Sequence, residues 1–328
     1  MSTVLYMAVP CYNEELVLGE TSRRLKEKYQ QLIEMRKISP LSRVVYINDG
    51  STDKTWEKIQ KAHEEDVMFS GINLSRNRGH QNALLAGLLT VRHLADCVIS
   101  MDADLQDDIN SIDEMLEKFE VGFDVVYGVR DNRESDTFFK RNTAGIFYRL
   151  MKSLGSQAVP NSADFRLLSQ RALDGLAEFP EQNLYLRGMV PLVGYKSTKV
   201  YYKRGERFAG ESKYPLKKMV SFAIDGITSS SATPMRLIFW TGFIVFLLAL
   251  LFGIYIIAAH FIVGTDVTGW ASMMTAIVAF GGINLLAIGI VGEYIGKIFI
   301  EVKHRPRFIV EEFLNDENRN LHQENEVV

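Results

Sequence analysis

Two long apolar stretches in the C-terminal third constrain the fold of this chain more than any other feature. Residues 237–259 are almost wholly apolar, and so are most of residues 271–300. Each stretch exceeds the roughly 20 residues that a helix needs to cross a hydrocarbon core of about 30 Å. A short polar turn around Thr265 and Asp266 separates them. The pattern therefore predicts a hairpin of two transmembrane helices over residues 234–301.

Basic residues flank this hairpin on one side only. The connecting loop has none, whereas seven stand before the first span or after the second: Lys213, Lys217, Lys218, Arg236, Lys303, Arg305 and Arg307. The positive-inside rule then places both chain ends in the cytoplasm and the loop outside. We expect a multi-pass protein of the inner (plasma) membrane, with a cytoplasmic tail over residues 302–328. This tail is highly charged, and we expect it to be disordered after Val310.

Residues 214–233 show helical amphipathicity directly before the first span. Their apolar residues recur at helical spacing and two lysines flank the stripe: Leu216, Met219, Val220, Ala223, Ile224, Ile227, Lys217 and Lys218. Pro215 suits the first position of a helix. A basic amphipathic helix next to a membrane span is typical of a helix lying on the membrane surface.

The N-terminal part, residues 1–213, alternates between strand and helix patterns. Apolar runs predict strands over residues 4–10, 43–48, 67–74, 97–101, 123–127 and 197–202, and helical patterns follow most of them. Further helices are predicted over residues 138–154, 170–177 and 183–193, and a polar loop over residues 161–166. Alternation of this kind indicates an α/β domain with a mostly parallel sheet covered by helices on both faces.

The fourth of these strands ends in two carboxylates one residue apart, Asp102 and Asp104, followed by Gln106. Strand ends are where α/β sheets bind ligands. Adjacent carboxylates repel unless a cation lies between them, and hard oxygen ligands suit Mg²⁺ or Mn²⁺ together with phosphates. The alternative is a helix cap, because Asp104, Asp107 and Asp108 precede a helical pattern.

Other function classes are disfavoured. There is no Gly-x-Gly-x-x-Gly after the first strand and no Walker A sequence, which argues against dinucleotide oxidoreductases and P-loop enzymes. A net charge of −3 argues against nucleic acid as a partner. The glycine-punctuated basic segment 203–214 is typical of a lid that binds phosphate oxygens, although an ordinary solvated loop would also have this composition.

Four ordered segments resemble the signature set of the inverting family 2 glycosyltransferases with the GT-A fold: VPCYNEE (9–15), NDGSTD (48–53), NRGHQNA (77–83) and DADLQ (102–106). Three later segments and the predicted hairpin narrow the resemblance to the polyisoprenyl-phosphate glycosyltransferases: DFR (164–166), AGESKY (209–214) and GEYIG (292–296). The bactoprenol glucosyltransferase type, related to dolichyl-phosphate mannose synthase, is the most similar group.

This resemblance implies roles for individual residues. Those expected in the nucleoside pocket are Pro10, Tyr12, Glu14 and Asp49. Asp102 would lie by the ribose and diphosphate, Asp104 and Gln106 would hold Mg²⁺ or Mn²⁺ with Asp102, and Arg130 would face the donor. Those expected to bind phosphates or complete the lid are Arg204, Arg207, Ser212, Lys213 and Tyr214.

Asp164 is the candidate catalytic base by the same resemblance. A phosphate acceptor with a second pKa of about 6 is already largely ionised at neutral pH, so it needs little help from a base. Asp164 could instead position the acceptor or a sugar hydroxyl. A third possibility is a structural aspartate that is hydrogen-bonded to Arg166.

The implied function is inverting transfer of a sugar from a nucleotide diphospho-sugar to polyprenyl phosphate at the cytoplasmic face of the bilayer. UDP-glucose is favoured as the donor, while GDP-mannose, UDP-N-acetylglucosamine and an aminoarabinose donor remain open. An inactive, membrane-tethered protein that binds sugar nucleotides is the alternative from another class. Gly292 and Gly296 would allow close helix packing, so a homo-oligomer also remains open.

Overall fold

The computed structural model describes residues 2–131, 159, 162–182, 185–203, 205, 233–263 and 269–315. Within these residues, eight strands form one sheet in the order β7-β5-β6-β4-β1-β2-β3-β8. The strands are β1 (Leu5–Cys11), β2 (Arg43–Asn48), β3 (Phe69–Leu74), β4 (Cys97–Ser100), β5 (Val125–Arg130), β6 (Ser162–Ser169), β7 (Ser197–Tyr202) and β8 (Val310–Leu314).

Most neighbouring strands are parallel. The pairs β1–β2, β1–β4, β2–β3 and β5–β7 are parallel, whereas β6 is antiparallel to both β4 and β5, and β8 is antiparallel to β3. The strands that follow one another along the chain are joined by helices in the first half. The prediction of an α/β domain with a mostly parallel sheet of the GT-A type is confirmed.

Helices cover both faces of this sheet. They are α1 (Leu18–Glu34), α2 (Thr55–Glu65), α3 (His80–Val91), α4 (Ser111–Glu120), α5 (Gln170–Ala177) and α6 (Leu186–Leu192). Apolar residues of α1, α2 and α4 form one core against the sheet, and those of α3, α5 and α6 form a second core on the other face. Two buried faces explain why the central strands are continuous apolar runs in the sequence.

Two further helices, α7 (Thr233–Val263) and α8 (Trp270–Val302), follow the sheet domain. By length and composition, Met235–Phe252 and Ala279–Val302 are candidate membrane spans, with mean hydropathy of 2.3 and 1.7 and no share buried inside the protein. Helices of this length whose apolar side chains are exposed fit a hairpin in a bilayer. The predicted surface helix over residues 214–233 lies outside the described residues.

Two local predictions are wrong. The expected polar loop over residues 161–166 is replaced from residue 162 by strand β6, whose residues are all buried. Here Asp164 and Arg166 pair with each other inside the protein, which makes burial of a polar sequence possible. The disorder expected after Val310 is also wrong for β8, which pairs with the exposed edge of β3.

The end of α8 and the segment after it contact the sheet domain at several points. Both carboxylate oxygens of Glu301 accept the backbone N–H of Gln182, at 2.9 and 2.8 Å. Arg307 Nη2 donates to the carbonyl oxygen of Phe179 at 3.0 Å. These polar contacts and β8 connect the end of α8 to the sheet domain.

Candidate functional site

The candidate site lies along one edge of the sheet. The carboxyl ends of the parallel strands β1 to β5 and β7 reach this edge, and the antiparallel strand β6 begins there, because Ser100 pairs with Arg166 and Val129 with Ser162. Side chains that are distant in sequence are therefore neighbours. This is the edge at which doubly wound sheets bind ligands.

Asp49, at the end of β2, connects two of the loops at this edge. Its carboxylate oxygens accept the backbone N–H groups of Arg78 at 2.6 Å and Gly79 at 2.9 Å. Gly50 follows with a φ of +62°, and a Cβ there would lie 2.5 Å from the backbone nitrogen of Asn77. The sequence Asp-Gly is thus required for the loop after β2 to pack against the loop after β3.

The other residues expected around the nucleoside lie at the end of β1 and in the loop that follows it. Pro10 is buried within β1, whereas Tyr12 is 42% exposed. Asn13 has a φ of +54°, and its side-chain oxygen accepts the backbone N–H of Thr52 at 2.8 Å. The backbone N–H of Glu14 donates to Thr55 Oγ1 at 2.9 Å. These contacts fix the loops after β1 and β2 relative to each other, beside Asp49.

The carboxylates Asp102 and Asp104 follow β4 in the same row. Asp102 Oδ1 is buried without a hydrogen-bond partner. The pKa of Asp102 is raised to about 6: burial is the main cause, the nearby charges of Asp164, Asp107 and Asp104 add to it, and His80 opposes it. Leu105 has a φ of +57°, and Asp104 Oδ1 accepts the backbone N–H of Gln106 at 3.2 Å. The alternative of a helix cap applies only to Asp108: its Oδ1 accepts the backbone N–H of Asn110, the N-cap residue of α4, at 3.0 Å, and Asn110 itself makes no side-chain cap bond.

These oxygens fit a hard divalent cation only in part. Among the described residues, no three His, Cys, Asp or Glu side chains could hold a metal ion by themselves. Asp102 nevertheless has a buried carboxylate oxygen without a partner, in a group of mutually repelling carboxylates. Mg²⁺ is commonly bound by one or two carboxylates together with substrate phosphates. The donor set therefore fits a metal that binds together with a diphosphate.

Asp164, near the start of β6, is surrounded by three basic side chains. Arg166 hydrogen-bonds to Oδ1, Arg187 Nη2 lies 3.0 Å from Oδ2, and His80 Nε2 lies 3.6 Å from Oδ2. Although burial raises the pKa of Asp164, hydrogen bonding to His80 and the charges of both arginines hold it well below its usual range. His80 Nε2 also lies 3.5 Å from Asp102 Oδ1, so it bridges the two carboxylates.

Arg130, at the end of β5, lies in a separate buried cluster. It contacts Asp107 Oδ1 through Nη2 at 3.4 Å and the hydroxyl of Tyr202 through Nε at 3.2 Å. Tyr202 in turn donates to Asp107. Because Asp107 follows directly after Gln106, this cluster supports the loop that carries Asp102 and Asp104.

The predicted phosphate-binding and lid residues Arg204, Arg207, Ser212, Lys213 and Tyr214 lie outside the described residues. The beginning of that segment is described: the backbone N–H of Gly205 donates to the carbonyl oxygen of Gln106 at 2.9 Å. The chain leaving β7 therefore starts beside the Asp102–Gln106 loop.

Sequence reasoning assigned no role to four residues of this site: His80, Asp107, Arg187 and Tyr202. His80 belongs to the segment 77–83 and Asp107 follows the segment 102–106. Their position in or beside these signature segments could have indicated that they belong to the site. Arg187 and Tyr202 have no local signal, because only the sheet topology brings α6 and β7 to the same edge.

Comparisons with known proteins agree with this architecture. The model described as Glycosyl transferase family 2 matches residues 6–176, and the one described as GtrB C-terminal hairpin matches residues 233–298. The uncharacterized glycosyltransferase YkoT of Bacillus subtilis (strain 168) is 49% identical over 308 residues, which cover 94% of this chain and 91% of that protein.

Another relative has a more specific name. The bactoprenol glucosyl transferase of Shigella phage SfV is 36% identical over 307 residues, which cover 93% of this chain and 97% of that protein. The similarity extends through the sheet domain and both C-terminal helices. The chain therefore belongs to glycosyltransferase family 2, among the members that carry the GtrB C-terminal hairpin.

Proposed function

We propose that this protein transfers a sugar, with inversion, from a nucleotide diphospho-sugar to polyprenyl phosphate at the cytoplasmic face of the plasma membrane. The main support for the proposal is that one chain combines a candidate metal–diphosphate site with candidate membrane helices. A row of carboxylates that suits a metal–diphosphate lies at the ligand-binding edge of the sheet. The helix α8, a candidate membrane span, is hydrogen-bonded to the same domain through Glu301.

The name of the phage relative, a bactoprenol glucosyl transferase, supports this class of acceptor and favours glucose. The basic residues before α7 and after α8 support an orientation with both chain ends in the cytoplasm. A polyprenyl tail would remain in the bilayer while its phosphate reaches the headgroup level. The domain that α8 holds at this level would then meet the phosphate.

The chemistry follows from the charges. A phosphate oxygen of the acceptor attacks the anomeric carbon, the bond from that carbon to the diphosphate breaks, and the nucleoside diphosphate leaves with the electron pair. Asp102, Asp104 and Gln106 would hold Mg²⁺ or Mn²⁺ against the diphosphate. Such an ion would stabilise the negative charge that develops on the leaving group.

The protein's own residues position the substrates. Asp49 fixes the loops after β2 and β3, beside the segment that holds Tyr12 and Glu14. A nucleoside held there would direct its diphosphate toward Asp102 and Asp104. The acceptor would then approach from the side of His80 and Arg187.

The test is transfer by the full-length protein in detergent. Labelled UDP-glucose, GDP-mannose, UDP-N-acetylglucosamine and an aminoarabinose donor are each offered with undecaprenyl phosphate, in Mg²⁺, Mn²⁺ or chelator. We expect one donor to give a metal-dependent lipid product, and Asp104→Ala to abolish it. Asp174→Ala, at an exposed carboxylate on α5, is the matched control and should leave transfer unchanged. Nucleotide binding without product from any donor would instead support the tethered binding protein.

A further inference from the structure

The three basic side chains around Asp164 differ in their exposure to solvent. Arg166 is 2% exposed and pairs with Asp164 inside the protein. Arg187 and His80, whose side chains are 41% and 38% exposed, contact the same carboxylate from the solvent side. Arg187 contacts Asp164 through Nε and Nη2 only, and among the described residues Nη1 has no hydrogen-bond acceptor, so this nitrogen can donate to a bound anion.

We infer that Arg187 and His80 bind the phosphate of the lipid acceptor, and that Asp164 is a positioning residue that holds them rather than a base. This inference rests on the proposed function and names the acceptor's place in the site. The planar guanidinium of Arg187 presents several N–H donors, which suits a terminal phosphate with three oxygens.

The occupancy of the Asp164 oxygens argues against proton removal. Oδ1 accepts from Arg166 and, at 3.2 Å, from Arg187 Nε; Oδ2 accepts from Arg187 Nη2 at 3.0 Å. A base must present an oxygen to the proton that it removes. A phosphate monoester is already mostly dianionic at neutral pH, so the attacking oxygen carries no proton that must be removed.

The contacts of α6 with the membrane helix favour the acceptor phosphate over the donor diphosphate. Arg187 lies in α6, and the preceding Gln182 is hydrogen-bonded to Glu301, one residue before the end of α8. Five residues span at most about 18 Å, so Arg187 lies within about that distance of Gln182, which contacts the end of α8. A lipid phosphate is at the level of that helix end.

A further contact joins α6 to His80. The backbone N–H of Leu186 donates to Oε1 of Gln81, the residue after His80, at 3.0 Å. Arg187 and His80 are therefore linked through the residues next to them in the chain, Leu186 and Gln81, as well as through Asp164. Asp102, which we assign to the donor, lies 3.5 Å from the same His80 Nε2, so the two substrates would meet beside this ring.

The kinetic test compares Arg187→Gln, Arg187→Lys and Asp164→Asn with the wild type, using farnesyl phosphate as a short acceptor. Loss of a charged, bidentate contact should raise the KM for farnesyl phosphate about tenfold to a hundredfold in R187Q, with the donor KM nearly unchanged. R187K keeps the charge and should raise the acceptor KM less. Arg171→Gln is the control, because Arg171 pairs with Asp124 at the opposite edge of the sheet.

Asp164→Asn separates positioning from base catalysis. As a positioning residue, Asp164 should affect mainly the KM for farnesyl phosphate, and kcat should retain more than about a tenth of its value. A general base would show the reverse, with kcat lost and the acceptor KM unchanged. That result, or a rise in the donor KM without a rise in the acceptor KM in R187Q, would overturn the inference.

A binding experiment keeps this test independent of turnover. Farnesyl phosphate, farnesol and inorganic phosphate are titrated calorimetrically into the detergent-solubilised full-length protein without donor. We expect binding of farnesyl phosphate that R187Q weakens about tenfold or more, and that R187K, should R187Q not fold, weakens to a smaller extent. Equal affinity in wild type and variants would overturn the assignment. Absence of transfer from every donor would refute the proposed function alone, because this measurement needs no transfer.

Discussion

Tyr202, the last residue of β7, donates its phenolic hydrogen bond to the buried carboxylate of Asp107. The contact joins a strand at the edge of the sheet to the loop that carries Asp102 and Asp104. Among the described residues, Arg130 also contacts Asp107 Oδ1, at 3.4 Å, and Asp107 Oδ2 is buried without a hydrogen-bond partner. The Tyr202 hydroxyl therefore helps to hold the Asp102–Gln106 loop, together with the N–H of Gly205 at the carbonyl oxygen of Gln106.

Tyr202→Phe should lower the free energy of unfolding by about 1–3 kcal/mol, because it leaves a buried carboxylate with one hydrogen bond fewer. Thermal unfolding in detergent measures this loss, and the metal concentration that gives half-maximal transfer should rise several-fold. The control is Tyr201→Phe, since the neighbouring Tyr201 is 62% exposed. Equal effects of the two substitutions would contradict the role given to Tyr202.

Asp49→Asn should destabilise the sheet edge and weaken donor binding. The amide that replaces one carboxylate oxygen would point an N–H group at the backbone N–H of Arg78 or Gly79. The unmet donor should cost about 1–3 kcal/mol of stability and raise the Kd for nucleotide. Calorimetric titration with the nucleoside diphosphate, beside Asp174→Asn as a control, tests this. Wild-type affinity in the Asp49 variant would refute it.

The ion pairs of Asp113 should make stability depend on acid pH. Burial raises the pKa of Asp113, but hydrogen bonds from Lys28 and Lys37 outweigh it and lower the pKa below its ordinary value. A carboxyl with a lowered folded-state pKa stabilises the fold above the unfolded-state pKa of about 3.9, and this stabilisation is lost as the pH falls through the folded-state value.

The measurement compares denaturant unfolding of wild type and Asp113→Asn at pH 7 and pH 3. We expect a difference of about 1 kcal/mol at pH 7 that shrinks at pH 3. Glu114→Gln, at an exposed pair on the same helix, should change little at either pH. A difference between wild type and D113N that is the same at both pH values would count against the ion pairs.

Phe313→Ala should destabilise the domain through β8. Phe313 lies opposite Ile72 in β3 and packs against the core that α3 shares. Removal of a half-buried aromatic ring should cost about 1–3 kcal/mol. Glu311→Ala, which removes only the exposed bond from Asn73 Nδ2, is the matched control and should cost less than about 0.5 kcal/mol. Comparable losses would mean that the strand's side-chain packing does not matter.

Most of the sheet could be predicted because its central strands are buried on both faces. In β2, for example, Val44, Val45 and Ile47 are all buried, so the strand is a short continuous apolar run. A polar loop follows this run and marks the end of the strand. The same reasoning placed Asp49, Asp102 and Asp104 at one edge, since parallel strands end together. The part of the site on these strands was therefore available from the sequence.

The strands β6 and β8 were missed for opposite reasons. β6 carries Asp164 and Arg166, whose burial depends on their pairing with each other and with Arg187 from another helix. β8 is an exposed edge strand with two glutamates, and its pairing depends on β3, more than 200 residues earlier. The spacing of apolar residues over a short stretch of sequence cannot reveal either the buried ion pairs of β6 or the distant pairing of β8.

The late position of β8 has a consequence for biosynthesis. Because β8 follows α7 and α8, a ribosome must synthesise both of these candidate membrane helices before the edge of β3 receives its last neighbour. Until then, the nascent domain exposes unpaired backbone groups at that edge, the kind of surface on which chains aggregate. Under the proposed function, delivery to the membrane therefore precedes completion of the sheet, and a chain stalled before insertion would keep this unpaired edge exposed.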